Sequence, residues 1–482
     1  MKILRILCIF SLLPFIGNCG GNNWRQTAKK DLDFIYITLK KNHPGAANPV
    51  QAWEPSFNQW LEQGYQEATK ALDSVSDYQA YKHLLLDYTR GFFDTHLWVH
   101  IKNKKKNSTE NWKLSFECAY TGKEVIVTES SDPKIACSDI LISVDGVPTK
   151  QFLKKIVSRF SINPKIEASL YKTTRFLSLV RIDPCSTHWP IFALAKNYTF
   201  KTKNGKLVEY TTQWEKTTEA VSIKRLSEFS LKELKDNCVW VSLPSFHPNN
   251  KQEKNLKHII STIKKYRDSN AIIFDLRNNG GGNSAWGTSI IKALVGKKYF
   301  TQKATIISEY WRASKGNLKH LQGYQEIFST QFPAEHPIHQ ELKDQVQGIE
   351  KAIANNKQFY ILTPKKEIVP YSVKSKLNPS TKVFCIVDEY CVSSSLIFID
   401  ELKMVTNPVL VGHPTNADTD FMDIRKLDLP SGYGSLFVPM AFLVGRKRKS
   451  NECYMPDIHI YDTMQNTQKL QTYMIDEVIK KQ

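Results

Sequence analysis

Two stretches of this chain carry residue types suited to chemistry at a strand-to-helix turn. The first is Asp275-Leu276-Arg277-Asn278-Asn279-Gly280-Gly281-Gly282, which closes the apolar run Ala271 to Phe274. Apolar residues leading into a charged, amide-rich and then glycine-only segment read as a fully buried strand ending in a tight loop. Glycine adopts positive φ without strain and lets another group approach the backbone. The run therefore offers N–H groups to negative charge, either a phosphate or a transition-state oxyanion. A purely structural glycine turn is the competing reading, and the phosphate reading lacks the lysine of a GxxxxGK arrangement. The second stretch is Ser393-Ser394-Ser395, after the apolar run Val383 to Val387 and before helix-like Leu396 to Leu402. A serine at such an elbow has its hydroxyl raised among helical N–H groups, whereas the plain alternative is an N-cap. Cys391, just ahead of the serines, is a rival nucleophile. His96, in Asp94-Thr95-His96 between a helix-like run and the β-like run Leu97 to Ile101, is either a packed histidine or a general base.

The elements that must position these residues fall into three units. Residues 24–106 read as helical, with aromatics and leucines three and four apart in Asp33 to Leu39, Trp53 to Leu72 and Tyr81 to Tyr88. Residues 107–221 are rich in short β-runs, among them Glu124 to Thr128 and a hairpin in Phe192 to Trp214 turning at Asn204-Gly205. Residues 222–482 alternate strand and helix, which predicts a mostly parallel sheet. Cys238 to Leu243 and Ala271 to Asp275 are strands, and Asn255 to Tyr266 and Asn283 to Leu294 are helices. Between 299 and 380 the pattern loosens apart from a helix near Glu341 to Asn355. An insertion of that length in a compact domain covers a site or binds something. The fold class is α/β, with a helical N-terminal domain and a β-rich subdomain.

The chain has 482 residues, enough for several domains. Its formal charge of +19 favours anionic partners such as phospholipid. The lysines are scattered and accompany no nucleic-acid motif, so nucleic acid is not expected as a partner. Residues 1–19 read as a signal peptide, with Lys2 and Arg5 ahead of the apolar segment Ile6 to Ile16. Its end, Ile16-Gly17-Asn18-Cys19, resembles a bacterial lipobox, which would make Cys19 a lipidated membrane anchor. Asn18 replaces the usual Gly or Ala, so ordinary cleavage and secretion is the alternative. Either route predicts an exported protein, periplasmic or in the cell envelope. Setting aside Cys8 and Cys19, seven of the nine cysteines remain. None forms a CxxC pair, so neither zinc nor any other cofactor is expected. Cys118 with Cys137 and Cys391 with Cys453 are the candidate disulfides of an exported chain.

DLRNNGGG resembles the signature of the tail-specific (C-terminal processing) serine peptidases, a family that includes the tricorn protease core and retinoid-binding relatives. The strand and turn around Asp388, the run Pro408 to Gly412 and Met455-Pro456-Asp457-Ile458 match further landmarks of that family. The resemblance implies a crotonase- or ClpP-like protease domain. Ser138 to Pro148 resembles the signature portion of a PDZ module, with Ser138 in place of the usual glycine. In the family the nucleophile stands five residues after the residue closing its strand, which from Asp388 is Ser393. The oxyanion donors would be backbone N–H groups of Gly281, or a neighbour such as Gly282, and of Ser394. Where one branch carries a catalytic lysine, this chain has Asp418, and only Lys403 or Lys426 is at hand to substitute. The tricorn-like branch instead pairs Ser with His, beside a hydroxyl residue and a late glutamate. His96, Thr95 and Glu452 are the counterparts, Glu452 displaced by about two positions, with Asp94 and Asn279 behind them. The implied activity is cleavage of peptides or protein C-terminal regions by Ser–His acyl transfer. A non-catalytic relative binding a peptide or an apolar ligand in the same cleft is the alternative.

Overall fold

The computed structural model describes residues 23–47, 56–102, 110–160, 166–182, 194–218, 228–364, 372–460 and 466–481. Residues 1–22, with Cys8 and Cys19, and residue Cys185 lie outside the described residues. A six-stranded sheet takes its strands in chain order: Ser230–Leu234, Cys238–Ser242, Ala271–Asp275, Lys382–Val387, Val409–Gly412 and Ile458–His459. The first pair is antiparallel and the rest are parallel. Ala271–Asp275 is buried at every position, as its uninterrupted apolar run predicts for a strand covered on both faces. Successive side chains alternate between faces. Ile272 and Phe274 pack under the helices Asn250–Thr262, Ser284–Val295 and Ser394–Val405, through Ile259, Ile290 and Phe398. Ala271 and Ile273 meet Leu470 and Met474 on the opposite face. Each such buried side chain contributes roughly 1.5–3 kcal/mol. The helix Asn250–Thr262 starts where Asn249 and Gln252 cap each other's backbone.

A second sheet joins distant parts of the chain. Its order is Trp98–Ile101, Gly434–Val444, Ser308–Arg312 and Phe359–Leu362, with Phe421–Asp428 also paired to Gly434–Val444. The stretch where the sequence pattern loosens thus supplies two strands, together with the helices Lys315–Gln331 and Pro337–Ala354. Its strands are short and only partly buried, so alternation leaves little trace in the sequence. The N-terminal helices Trp24–Asn42, Ser56–Ala71 and Tyr78–Arg90 build one core with this sheet, Leu32, Ile35 and Leu85 meeting Leu436, Val438 and Phe442. Between them, Phe116–Tyr120, Val125–Ser130, Ile140–Val144, Asn197–Lys201 and Leu207–Thr211 form a separate sheet. Asp145 and Gly146 turn there at φ 46° and 74°.

The six cysteines among the described residues are free thiols, so the pairings Cys118–Cys137 and Cys391–Cys453 do not form. Cys137 Sγ turns to the Thr128 carbonyl. Cys391 Sγ is sealed inside against the Leu276 carbonyl at 3.0 Å. Among the described residues no helix is long and apolar enough to cross a membrane.

Candidate active site

The two elbows meet because their strands are neighbours. Ala271–Asp275 and Lys382–Val387 pair in parallel, so both chains leave the sheet at the same edge, where α/β folds place ligands. The first turn is held from beneath. Asp275 accepts two bonds from Arg277, Nε at 2.8 Å and Nη2 at 2.6 Å, both residues being buried. The Asn278 N–H reaches across to Asp388 Oδ2 at 2.7 Å. Fully buried Asn279 ties three segments: its Nδ2 donates to the Leu243 carbonyl, its Oδ1 accepts from Gly281 N–H, and its own carbonyl accepts from Val392 N–H. The expectation that Gly281 N–H faces an oxyanion therefore fails, because that N–H is given to Asn279 at 2.9 Å. Gly281 provides clearance instead. At φ 93°, a Cβ there would lie 2.8 Å from Ser393 Cβ and 2.9 Å from the Val392 carbonyl. Gly282 likewise lies flat on the Phe246 carbonyl, which a Cβ would meet at 2.2 Å.

Ser393 occupies the second turn with φ 61° and ψ −124°, and its side chain makes no capping bond to the helix it opens. A non-glycine residue at positive φ is strained, of order 1–3 kcal/mol. Here it aims the hydroxyl out of the helix start. Ser394 Oγ donates to the Gly282 carbonyl and Ser395 Oγ to the Val392 carbonyl, so the three serines differ in task. Ser394 N–H stands in the first turn of the helix, next to Gly281, where N–H groups have no acceptor within the helix.

His96 arrives from the other end of the chain. Its Nε2 lies 3.2 Å from Ser393 Oγ, with the ring largely buried. The strand Trp98–Ile101 pairs with Gly434 to Phe437, and Trp98 stacks on Phe437. Asp94, fully buried, accepts the His96 N–H at 2.9 Å and the Thr419 hydroxyl at 2.7 Å, both on Oδ1. The same oxygen lies 4.0 Å from His96 Nδ1, beyond hydrogen-bond range. Behind Asp94 sits His43, a residue to which no sequence motif points.

Two expected partners stand elsewhere. Thr95 Oγ1 is buried and bonds to nothing described; the hydroxyl that reaches the Asp–His step is that of Thr419. Glu452 is exposed, its Oε2 accepting the Lys449 N–H at 2.7 Å, and it makes no hydrogen bond to His96. Its backbone turn, Glu452 N–H to the Lys449 carbonyl, points the carboxylate at its own loop. Asp418 is buried and takes Arg446 Nη1 at 2.8 Å and Arg448 Nη1 at 2.6 Å. Burial alone would push its pKa up, but Arg448 and Arg446, with His96 nearby, hold it below the usual carboxylate range. Neither candidate lysine approaches Ser393 Oγ: Lys403 lies over the Tyr454 ring and Lys426 faces Asp428. The Cys391 thiol, which burial pushes far up, is sealed from solvent.

The model of peptidase family S41 matches residues 237–459. No curated protein sequence matches the chain. Among solved structures, mature CPAF complexed with lactacystin superposes with a TM-score of 0.61 at 13% identity, covering 95% of this chain and 100% of that one. This likeness shows a shared fold. The photosystem II D1 C-terminal processing protease, at 12% identity, covers 94% and 98% of the two chains with a TM-score of 0.35. For the tricorn protease the TM-score is 0.39 at 11% identity, over 95% of this chain and 37% of that one.

Proposed function

From the premise that this chain belongs to peptidase family S41 through residues 237–459, we propose that it cleaves peptides or protein C-terminal regions by Ser–His acyl transfer. Ser393 Oγ attacks the scissile carbonyl while His96 Nε2 takes its proton and later returns it to the leaving amine. The Ser394 N–H and an N–H of the glycine run other than Gly281 stabilise the oxyanion, each donor contributing about 3 kcal/mol. The carboxylates of Asp94 and Asp418 supply the negative field that an imidazolium requires. The observation that carries this reading is the 3.2 Å contact between His96 Nε2 and Ser393 Oγ at a strained elbow. A Ser–Lys mechanism has no support from either nearby lysine.

The test is labelling by a fluorophosphonate, which needs no known substrate. Wild type should label at one serine, Ser393→Ala should not label, and His96→Gln should slow labelling by about 1000-fold, as loss of a positioned base does. An unlabelled wild type favours the second reading, a relative that binds a peptide or apolar ligand in this cleft. The unpartnered His96 Nδ1 and the remote Glu452 are what speak for it. Export with lipidation at Cys19 belongs to the same proposal. A Cys19→Ser chain should lose incorporation of a palmitate analogue and leave the membrane fraction.

A further inference from the structure

His43 ends the helix Trp24–Asn42, its N–H still bonded to the Leu39 carbonyl. The ring is fully buried, stacked on Phe57 and edge-on to Phe421, each centroid 4.4 Å away. Its Nδ1 accepts the Gly45 N–H at 3.0 Å. That fixes the tautomer, since an imidazole accepting at one nitrogen carries its proton on the other when neutral. Burial pushes the His43 pKa down, against the pull of Asp94, and keeps the ring neutral. Gly45 packs so closely here that a Cβ would lie 2.8 Å from Phe421 Cζ and 2.9 Å from Phe57 Cγ. The remaining N–H, on Nε2, faces Asp94 Oδ2 at 3.5 Å, and neither atom has another partner among the described residues. A shift of about 0.5 Å would close this to a full hydrogen bond.

We infer that His43 is a positioning residue for Ser393 acylation, a second buried imidazole that orients Asp94 and, through Asp94, His96. The inference rests on the Ser–His reading above. Asp94 is held at Oδ1 by Thr419 and by the backbone N–H of His96, while its Oδ2 faces His43 Nε2 at 3.5 Å. The bond from the His96 N–H sets the peptide from which the His96 ring projects towards Ser393. The charged groups around this line are few. Among the described residues His43 faces the Phe57 and Phe421 rings and Asp94, whereas His96 faces Asp94 and lies near Asp418, itself clamped by Arg446 and Arg448. Without His43 the carboxylate is free to rotate, and both the aim of His96 and the field on its imidazolium change.

The experiment is the pH dependence of the fluorophosphonate labelling rate constant in the full chain. It compares wild type, His43→Phe, His43→Leu and His43→Gln, each with its folded fraction fixed by circular dichroism. Phe keeps the ring volume and removes the N–H; Gln returns an N–H donor at similar reach. The Phe and Leu variants should label about 10- to 100-fold more slowly, the range lost when a catalytic group is slightly misplaced. The acid limb of their rate profile should also move, because the carboxylate nearest the reacting imidazole is no longer held in place. Gln should regain most of the rate. A purely structural role would lower the labelled fraction and leave the rate constant and its pH limb unmoved, and that result overturns the inference. So does a Gln variant as slow as a folded Phe or Leu variant. An unlabelled wild type would remove the Ser–His reading and this inference with it. A labelled wild type with indifferent His43 variants removes this inference alone.

Discussion

Ser393, Ser394 and Ser395 are chemically identical and adjacent, yet backbone geometry gives each a separate use. Positive φ turns Ser393 outward, while the other two hydroxyls close carbonyls of the neighbouring turn. Gly281 makes that geometry feasible by leaving the space into which Ser393 fits. Gly281→Ala should therefore cost about 1–3 kcal/mol of stability through strain and at least about 100-fold in labelling rate through displacement of Ser393. Thermal melts and labelling time courses measure both, and an alanine variant labelled at the wild-type rate would refute the argument. Ser393 and His96 were singled out through the family resemblance, one at a strand-to-helix turn and the other beside a β-like run, and their side chains lie 3.2 Å apart. The partners of His96 were not legible. Asp94 meets Thr419 across 325 positions, and no local pattern records such a contact. Glu452 was chosen by its place in the sequence, whereas a one-turn loop closed by Lys449 decides where its carboxylate goes.

Two helices, Ser284–Val295 and Ser394–Val405, each start at one of the elbows and run side by side. Their interface includes a carboxyl: Glu401 accepts the Thr288 hydroxyl at 2.8–2.9 Å. Burial pushes the Glu401 pKa up to about 7, with the Thr288 bond opposing that rise. The folded state thus holds a proton that the unfolded chain releases near its ordinary value of 4.5. Glu401 accordingly makes stability fall as pH rises from that value to about 7, with the full penalty present above it. Glu401→Gln keeps the bond to Thr288 and removes the charge. It should flatten this part of the stability profile and stabilise the protein at pH 8 by up to about 3 kcal/mol. Denaturation midpoints at pH 5 and pH 8 decide the matter; parallel profiles for variant and wild type would contradict it. The strands beneath these helices were readable as apolar runs. The strands Ser308–Arg312 and Phe359–Leu362 were not, since partial burial and short length erase the alternation on which such reading depends.

On the scale of the molecule, the site is assembled from distant segments that the second sheet joins. His96 and His43 lie outside residues 237–459, the span matched to peptidase family S41, and His96 reaches Ser393 because Trp98–Ile101 joins Gly434–Val444. Leu436, fully buried where the N-terminal helices meet that strand, is therefore a lever on the site as well as on the core. Leu436→Ala should cost about 2–5 kcal/mol by leaving a cavity. It should also slow labelling of the molecules that remain folded; urea titration followed by labelling at fixed folded fraction tests this, and an unchanged rate would uncouple the sheet from the site. By itself the sequence determined the buried strands, the glycine turn and the serine elbow, and with them the resemblance that the family model repeats over residues 237–459, since each is written in a contiguous run whose burial period and backbone demands are local. Tertiary structure alone decided which carboxylate stands by His96, that Gly281 N–H is engaged, that Asp418 is locked between two arginines, and that His43 backs the Asp–His step. Those outcomes depend on contacts closed across tens to hundreds of residues, where the packing of whole elements, rather than residue type or spacing, sets which groups meet.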